Sequence, residues 1–442
     1  MKSDRTAVNA SVPARFPAAS MRFRAMQHRN FQLFIAGQLV SLSGTWMQST
    51  AQLWLVYKLT GSAALLGVFG FANQVPMLFL SSLGGYVGDH YDRRRGVMWT
   101  QTASMILAFV LAGLTLSGAI HDARGAWVVI FIAFVVGIVN AFDVPIRQAF
   151  FVQMVGKEDL PNAIALNSSI FHGARVVGPA IAGTTIAWLD AHHVKSSEGW
   201  CFLMNGLSFL AVIGALAAMR IPKTEPKARE GSPFQNFIQG FRFAMHDLPI
   251  RSTLLLLSVL SLFGLQYAVF LPLFAKDILH SGARGFGLLM SSAGVGAVLG
   301  ALHFAARTDY KGLARWIAVT SMTCAIGLEV FAESRIFWLS SAVLLIVGFA
   351  VTSQMTATNT LIQSRVPDEL RSRVMAVYAT MMMGMQPIGS LIAGGVAKRA
   401  GAPRTLATFG ILVLLGSLVF LFRVVKRLRP AQAAEPQAGF GR

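Results

Sequence analysis

The stretch GGYVGDHYDRRRGV, residues 84–97, sets Asp89, His90, Asp92 and the consecutive Arg93, Arg94 and Arg95 between long apolar runs. A carboxylate at a helix end accepts hydrogen bonds from an adjacent helix N-terminus or pairs with arginine, so Asp89 with Arg93 and Arg94 can latch two packed units in one state and release them in another. Gly85 lets its helix approach a neighbour closely. Further charges stand inside apolar segments, where burying such a side chain costs at least about 2.5 to 3.5 kcal/mol and the residue usually faces a partner or a wet cavity. Asp143 and Arg147 are four apart on one helix face. Arg175 lies mid-segment, with His172 three residues before it. The chemistry on offer is proton exchange. Arg175 is placed to reach Asp143, which takes up a proton or releases arginine, and His172 titrates near neutrality. A static ion pair at Asp143 and a hydrogen-bonded packing role for His172 are the competing readings. Glu329 and Glu333, toward the end of their segment, read as interfacial.

No enzyme constellation accompanies these charges. The sequence has no nucleophile elbow, no HExxH and no Walker A loop, and the glycines of Gly294 to Gly300 lie mid-segment without the strand that a nucleotide loop requires. Two cysteines, Cys201 and Cys324, both in apolar runs, give neither a disulfide framework nor a thiolate metal site. Neither cofactor nor metal is expected.

The elements that must position the charges are membrane helices. Of 442 residues, 54% are hydrophobic and 13% charged, too apolar for a water-soluble domain. Twelve apolar stretches are long enough to cross about 30 Å of hydrocarbon as helices: 31–57, 65–88, 96–118, 126–150, 162–189, 200–220, 251–274, 285–306, 315–332, 337–360, 373–398 and 404–424. Their apolar character is continuous rather than alternating, which selects helices over a barrel. The net charge of +19 is spread over loops rather than gathered on a polar domain, which argues against nucleic acid. Lys and Arg are roughly threefold more abundant in the segments on the side of both termini, and that bias places the termini in the cytoplasm. Residues 1–30 form a polar, basic tail without the short apolar core of a signal peptide.

A polar interruption over 221–250 divides six spans, 31–220, from six more, 251–424, and 425–442 is a second cytoplasmic tail. Within the interruption, 234–245 is amphipathic and suited to the membrane surface. The halves echo each other. At an offset of 220, Ala63, Gly67 and Asp89 fall on Ala283, Gly287 and Asp309. At an offset of 211, Val155, Ala165, Ala182 and Gly183 fall on Val366, Ala376, Ala393 and Gly394. Parallel six-helix repeats put a substrate site at the midplane between two rocking bundles.

The run from Gly85 to Arg94 resembles the loop 2–3 signature of the major facilitator superfamily, G-x-x-x-D-R-x-G-R-R/K, matching at Gly85, Asp89, Arg93 and Arg94, with His90 where arginine is usual and Asp92 where glycine is usual. The run Gly173 to Gly183, with Gly178, Pro179 and Gly183, is similar to the G-x-x-x-G-P-x-x-G-G motif of that superfamily's proton-coupled exporters, with Ala182 in place of one glycine. The strings Arg29 to Gly67 and Asn140 to Ser169 resemble the bacterial branch that includes the enterobactin exporter and related secretion effectors. The resemblance implies an all-α membrane protein of twelve transmembrane helices in two bundles, in a bacterial inner membrane. It implies export of a siderophore-like or drug-like amphiphile driven by protons, an importer or lipid flippase of the same fold being the alternative. The expected partners are the small molecule, protons and the bilayer, with the chain a monomer. Polar and soft residues from spans 1, 7, 10 and 11 are candidates to line the cavity: Gln48, Gln52, Gln266, Tyr267, Gln354, Asn359 and the methionines Met381, Met382, Met383 and Met385. Methionine adapts to varied apolar ligands.

Overall fold

The computed structural model describes residues 20–220, 233–307 and 312–425, and these are helical almost throughout. Within hydrocarbon every backbone N–H and C=O must find its partner inside the segment, and the helix provides it. A short 3-10 segment, Ser20–Gln27, leads into α1 (Arg29–Thr60), α2 (Ala63–His90), α3 (Arg93–Leu116), α4 (Ala123–Val155), α5 (Leu160–Ala191) and α6 (Ser197–Ala218). The amphipathic stretch expected over 234–245 forms α7 (Pro233–His246). Then α8 (Leu248–Leu262) runs through a 3-10 turn, α9 (Tyr267–Leu273) and a π turn at Phe274–Ile278. The chain ends with α10 (Gly282–Ala305), α11 (Leu313–Glu333), α12 (Phe337–Arg365), α13 (Asp368–Ala400) and α14 (Ala402–Phe420).

Among the described residues, nine helical segments are long and apolar enough to cross a membrane by length and composition: α2, α3, α4, α6, Leu248–Ile278, α10, α11, α12 and Ala402–Val424. Helices α1, α5 and α13, of 32, 32 and 33 residues, are long enough to cross but are not among the nine. These three supply many of the polar residues singled out above. Residues 1–19 of the amino-terminal tail, 221–232 of the linker, Asp309 and the carboxyl-terminal tail beyond 425 lie outside the described residues.

Tight turns make the helices alternate in direction. Gly61 closes α1 in the left-handed region, at φ 58°. Ser62 then caps α2 by accepting from the Leu65 N–H, and Asp92 and Asp122 cap α3 and α4 in the same way. Apart from the breaks inside Leu248–Ile278, helix ends therefore fall at one of two levels: a near end, with the start of α1 and with α7, and a far end, with the α1–α2 turn.

Helices α1 to α6 pack on one another, chiefly α2 on α4, α1 on α5 and α6, and α3 on α6. Helices α8 to α14 form a second set, chiefly α10 and α11 on α12, α11 on α14 and α13 on α8. Two pairs chiefly join the sets, α2 with α13 and α5 with α10, with α9 touching α1 and α2 besides. The repeat offsets carry α2 onto α10 and α5 onto α13, so the two seams are images of each other. Each is centred on paired glycines. A Cβ on Gly67 would stand 2.8 Å from the Cα of Gly394, and one on Gly183 would stand 3.0 Å from the Cα of Gly287. These are four of the residues that the offsets match.

The buried apolar clusters divide by level. The largest draws on both sets, with Trp54 and Phe69 beside Phe270, Phe286 and Phe331, and it occupies the far half. Toward the near end the core is split. One cluster there is built only from residues of α1 to α6 and the segment before them, with Phe31, Phe34 and Phe150, and two others only from residues beyond Ala244. Helix α7 belongs to the second set, where Gln239 and Arg373 of α13 are hydrogen-bonded and Gly240 lies against the Arg373 backbone.

Leucine at Gly183 would force α5 away from α10, whereas an added methyl group asks for less. Gly183→Leu should lower stability by about 1–3 kcal/mol, the usual effect of overpacking, and Gly183→Ala by less. Thermal unfolding of the purified chain in detergent would measure both, and equal stability for all three proteins would contradict the seam.

Candidate translocation site

The middle level of the α5–α10 seam carries the helix-5 motif. Gly178 faces α1, where a Cβ would lie 2.9 Å from the backbone nitrogen of Met47. Pro179 has no N–H to offer the carbonyl four residues earlier, that of Arg175, and this loosens the ladder on the side facing α10. There the Ser291 hydroxyl of α10 donates to the Val176 carbonyl at 2.7 Å, a hydrogen bond between the two sets. The motif therefore packs α5 inside its own set through Gly178 and across the seam through Gly183.

Arg175 does not reach Asp143. Its guanidinium lies over the Trp46 ring of α1, 5.7 Å from the centroid, and beside Tyr267 of α9. An aromatic face and a phenol are within reach, and together they hold the cation between the sets. His172 packs edge-on to Phe171 at 5.8 Å, and its Nδ1 is buried without a hydrogen-bond partner.

Asp143 is held elsewhere. It is 3% exposed and accepts from the Thr100 hydroxyl at 2.6 Å and the Gln101 side chain at 2.9 Å, both on α3. Arg147 pairs with it at 3.3 Å and also donates to Gln38 of α1 at 3.3 Å. One carboxylate thus ties α3 to α4 and, through arginine, to α1.

The loop between α2 and α3 is equally well knit within the first set. Arg93 lies 3.6 Å from Asp89 and donates to the carbonyls of Gly88 and, on α4, Ala149. Arg94 donates to the carbonyls of Leu216 and Ala217, at 2.8 and 2.9 Å, which close the end of α6. Gly85 is not the point of close approach expected of it. A Cβ there would meet nothing within 4 Å, whereas Gly84 and Gly88 are the residues pressed against α4. One step along a helix turns a residue by about 100°, so Gly84 and Gly85 cannot face the same neighbour.

The cavity candidates part company. Gln48 is buried and bonded to Asn205 of α6 at 2.8 Å. Gln266 is buried among Ser261, Gln386 and Ser390, and Gln354 donates to Thr358 on its own helix. Gln48 and Gln266 are spent on packing within their own sets, whereas the Gln354 amide oxygen is buried without a partner. Gln52 is buried with its amide nitrogen unpartnered, and Tyr267 is buried beside Arg175. Asn359 is half-buried and accepts from Gln363 at 2.6 Å. Met382 is half-buried beside the near cluster of the second set, and Met385 opens onto an outer groove between α8 and α14.

The far end holds contacts that single-residue reasoning missed. Tyr57 of α1 donates a hydrogen bond to Asp277 of the π turn, Lys276 lies 5.6 Å from the Tyr57 ring, and Trp54 stacks on Phe286 at 5.9 Å. Lys58 pairs with Glu198 of α6 at 2.8 Å. The repeat was the available signal: Tyr57 and Asp277 are 220 residues apart, the same offset that matches α2 to α10. The hydrogen bonds, ring contacts and glycine approaches that join the two sets among the described residues fall between this far end and the helix midpoints.

The transmembrane secretion effector family matches residues 20–440. The staphyloferrin A transporter of Staphylococcus aureus is 27% identical over 390 residues, covering 88% of this chain and 95% of that one. The multidrug efflux pump Tap of Mycolicibacterium fortuitum is 24% identical, covering 91% and 97%. Among solved structures, the nucleoside transporter NupG superposes with a TM-score of 0.68 at 13% identity, covering 91% of this chain and 98% of that one, a likeness of fold alone. A match along nearly the whole chain, together with relatives matched over nearly all of their length, places this multi-pass membrane protein in the transmembrane secretion effector family, transporters of the major facilitator superfamily.

Proposed function

We propose that the protein is a secondary active exporter that moves a small amphiphilic compound, siderophore-like or drug-like, across the bacterial inner membrane in exchange for protons. The efflux relatives support the direction and the class of cargo. The observation that carries alternating access is the division of the core, continuous between the sets in the far half and split in the near half. Packed cores are bistable rather than continuously deformable, so a split on one side implies a second state with the split on the other.

In this reading twelve helices cross the membrane, six in 31–220 and six in 251–424, with both termini and the near end in the cytoplasm. The structure then represents the inward-open state of a monomer. Cargo enters between the sets from the near side, past Asn359 and Met382 toward His172, Arg175 and, further in, Gln52. The Tyr57–Asp277 bond and the glycine seams hold the far side shut. When the sets rock, Gly85, Asp89, Arg93 and Arg94 come to face the near end of α13 and close that side. Asp143 is the coupling carboxylate. Taking up a proton removes its hold on Arg147, and Arg147 already reaches α1.

Two measurements bear on this. In inverted vesicles with an acidic lumen, whose protons leave as cargo enters, uptake of a fluorescent amphiphilic drug should be abolished by a protonophore. Asp143→Asn should lose that gradient dependence and at least about tenfold in rate, the scale of a lost proton-transfer group. An Asp143→Asn protein whose rate follows pH as the wild type does would eliminate the coupling role, and uptake indifferent to the protonophore would eliminate antiport. Separately, a double-mutant cycle with Tyr57→Phe and Asp277→Asn should give a coupling of about 1 kcal/mol in thermal stability, modest because Asp277 is exposed. Additive effects would remove this pair from the far gate.

A further inference from the structure

At the far end, beside the α5–α10 seam, a groove of about 650 Å³ is lined by Thr184, Thr185, Trp188, Trp200, Met204 and Arg284 among others. It spans both sets, since the threonines and Trp188 belong to α5, Trp200 and Met204 to α6, and Arg284 to the first turn of α10. Thr184 directly follows Gly183, so the groove adjoins the paired glycines.

Its polar groups are almost all donors. Arg284 makes neither an ion pair nor a hydrogen bond among the described residues, and it is exposed. The Thr185 hydroxyl and the two indole N–H groups also have no recorded partner there. Thr184 has spent its proton on the carbonyls of Ala180 and Ile181. No carboxylate lines the groove. Asp190, on the next turn of α5, is engaged by Ser197 and lies 3.9 Å from Lys58. A recess with one unpaired guanidinium and no carboxylate fits an anion, and a guanidinium matches a phosphodiester in particular. The remaining lining is apolar, and Trp188 and Trp200 are 62% and 42% exposed. Exposed tryptophans at a helix end belong at the boundary between headgroups and hydrocarbon.

We propose that this groove holds one anionic phospholipid of the far leaflet, with its phosphate on Arg284 and its upper acyl chain along Met204 and the indoles. Arg284 lies on one set and the aromatic wall on the other, so the lipid fastens α5 to α10 while the seam is closed. Opening the seam divides the site. A ligand that binds one conformation better than another shifts the population toward it, and this lipid favours the state closed at the far end. The inference rests on membrane placement and on the groove, and it stands whether or not the protein exchanges protons.

Native mass spectrometry of the full chain from detergent would test it, using phosphatidylglycerol and phosphatidylcholine with identical acyl chains. The wild type should retain a phosphatidylglycerol adduct in preference to phosphatidylcholine. Arg284→Gln should reduce that adduct about fivefold, the effect of one basic residue at an anionic surface, while Arg284→Lys keeps most of it. Arg404→Gln, exposed at the same end on α14, should leave the adduct unchanged. Added phosphatidylglycerol should also raise the unfolding temperature of the wild type more than that of Arg284→Gln. Should Arg284→Gln fail to fold, Trp200→Ala should show the same loss of adduct. Equal retention of the two lipids, an adduct indifferent to Arg284 and Trp200, or its displacement by millimolar inorganic phosphate, which would mark a soluble anion as the occupant, would each overturn the proposal.

Discussion

Backbone meeting backbone at two glycine pairs is the constraint from which the rest of the molecule follows. Lipid tails are as apolar as leucine, so no hydrophobic force drives one helix set onto the other, and close van der Waals approach has to serve instead. Gly67 against Gly394, and Gly183 against Gly287, let the helix axes come nearer than any side chain permits. Once the axes are that close, the far-half core becomes continuous and Tyr57 comes within reach of Asp277. With no matching near-half cluster shared between the sets, the same contact that closes one side leaves the other divided.

Charge is handled in two ways. Where it ties helices within a set it is fully satisfied, as in the four-residue arrangement of Asp143, Arg147, Thr100 and Gln101, or in Arg94 on the carbonyls ending α6. Where it lies between the sets it has looser company. Arg175 has an indole face and a phenol, and the buried Nδ1 of His172 and amide nitrogen of Gln52 have no partner. An unpaired buried polar atom costs about 1–3 kcal/mol, a cost that chains rarely carry without use.

Much of this was legible in the sequence. Continuous apolar runs gave the helices because hydrocarbon allows little else. The sparse offsets of 220 and 211 fell on the seam glycines, the positions where the two sets' backbones come closest. The helix-5 motif was likewise readable, since Pro179 and Gly183 act through the backbone. Side-chain partners were not legible. Gln48 and Gln266 look like any other polar letters in apolar segments, and only the neighbouring helix decides that each is spent on packing. Arg175 was assigned to a carboxylate by charge alone, whereas the nearest suitable surface was Trp46. For Gly84 and Gly85 the error was one residue, which on a helix is a different face.

The bond between Tyr57 and Asp277 joins positions that are counterparts under the internal duplication. A site that confronts its own copy cannot hold the same charge twice without repulsion, and two identical donors would have nothing to accept them. Phenol on one copy and carboxylate on the other resolve this, turning a self-facing position into a directed pair. Divergence between the halves is therefore a requirement on the line where they meet, even though symmetry built the surfaces on either side.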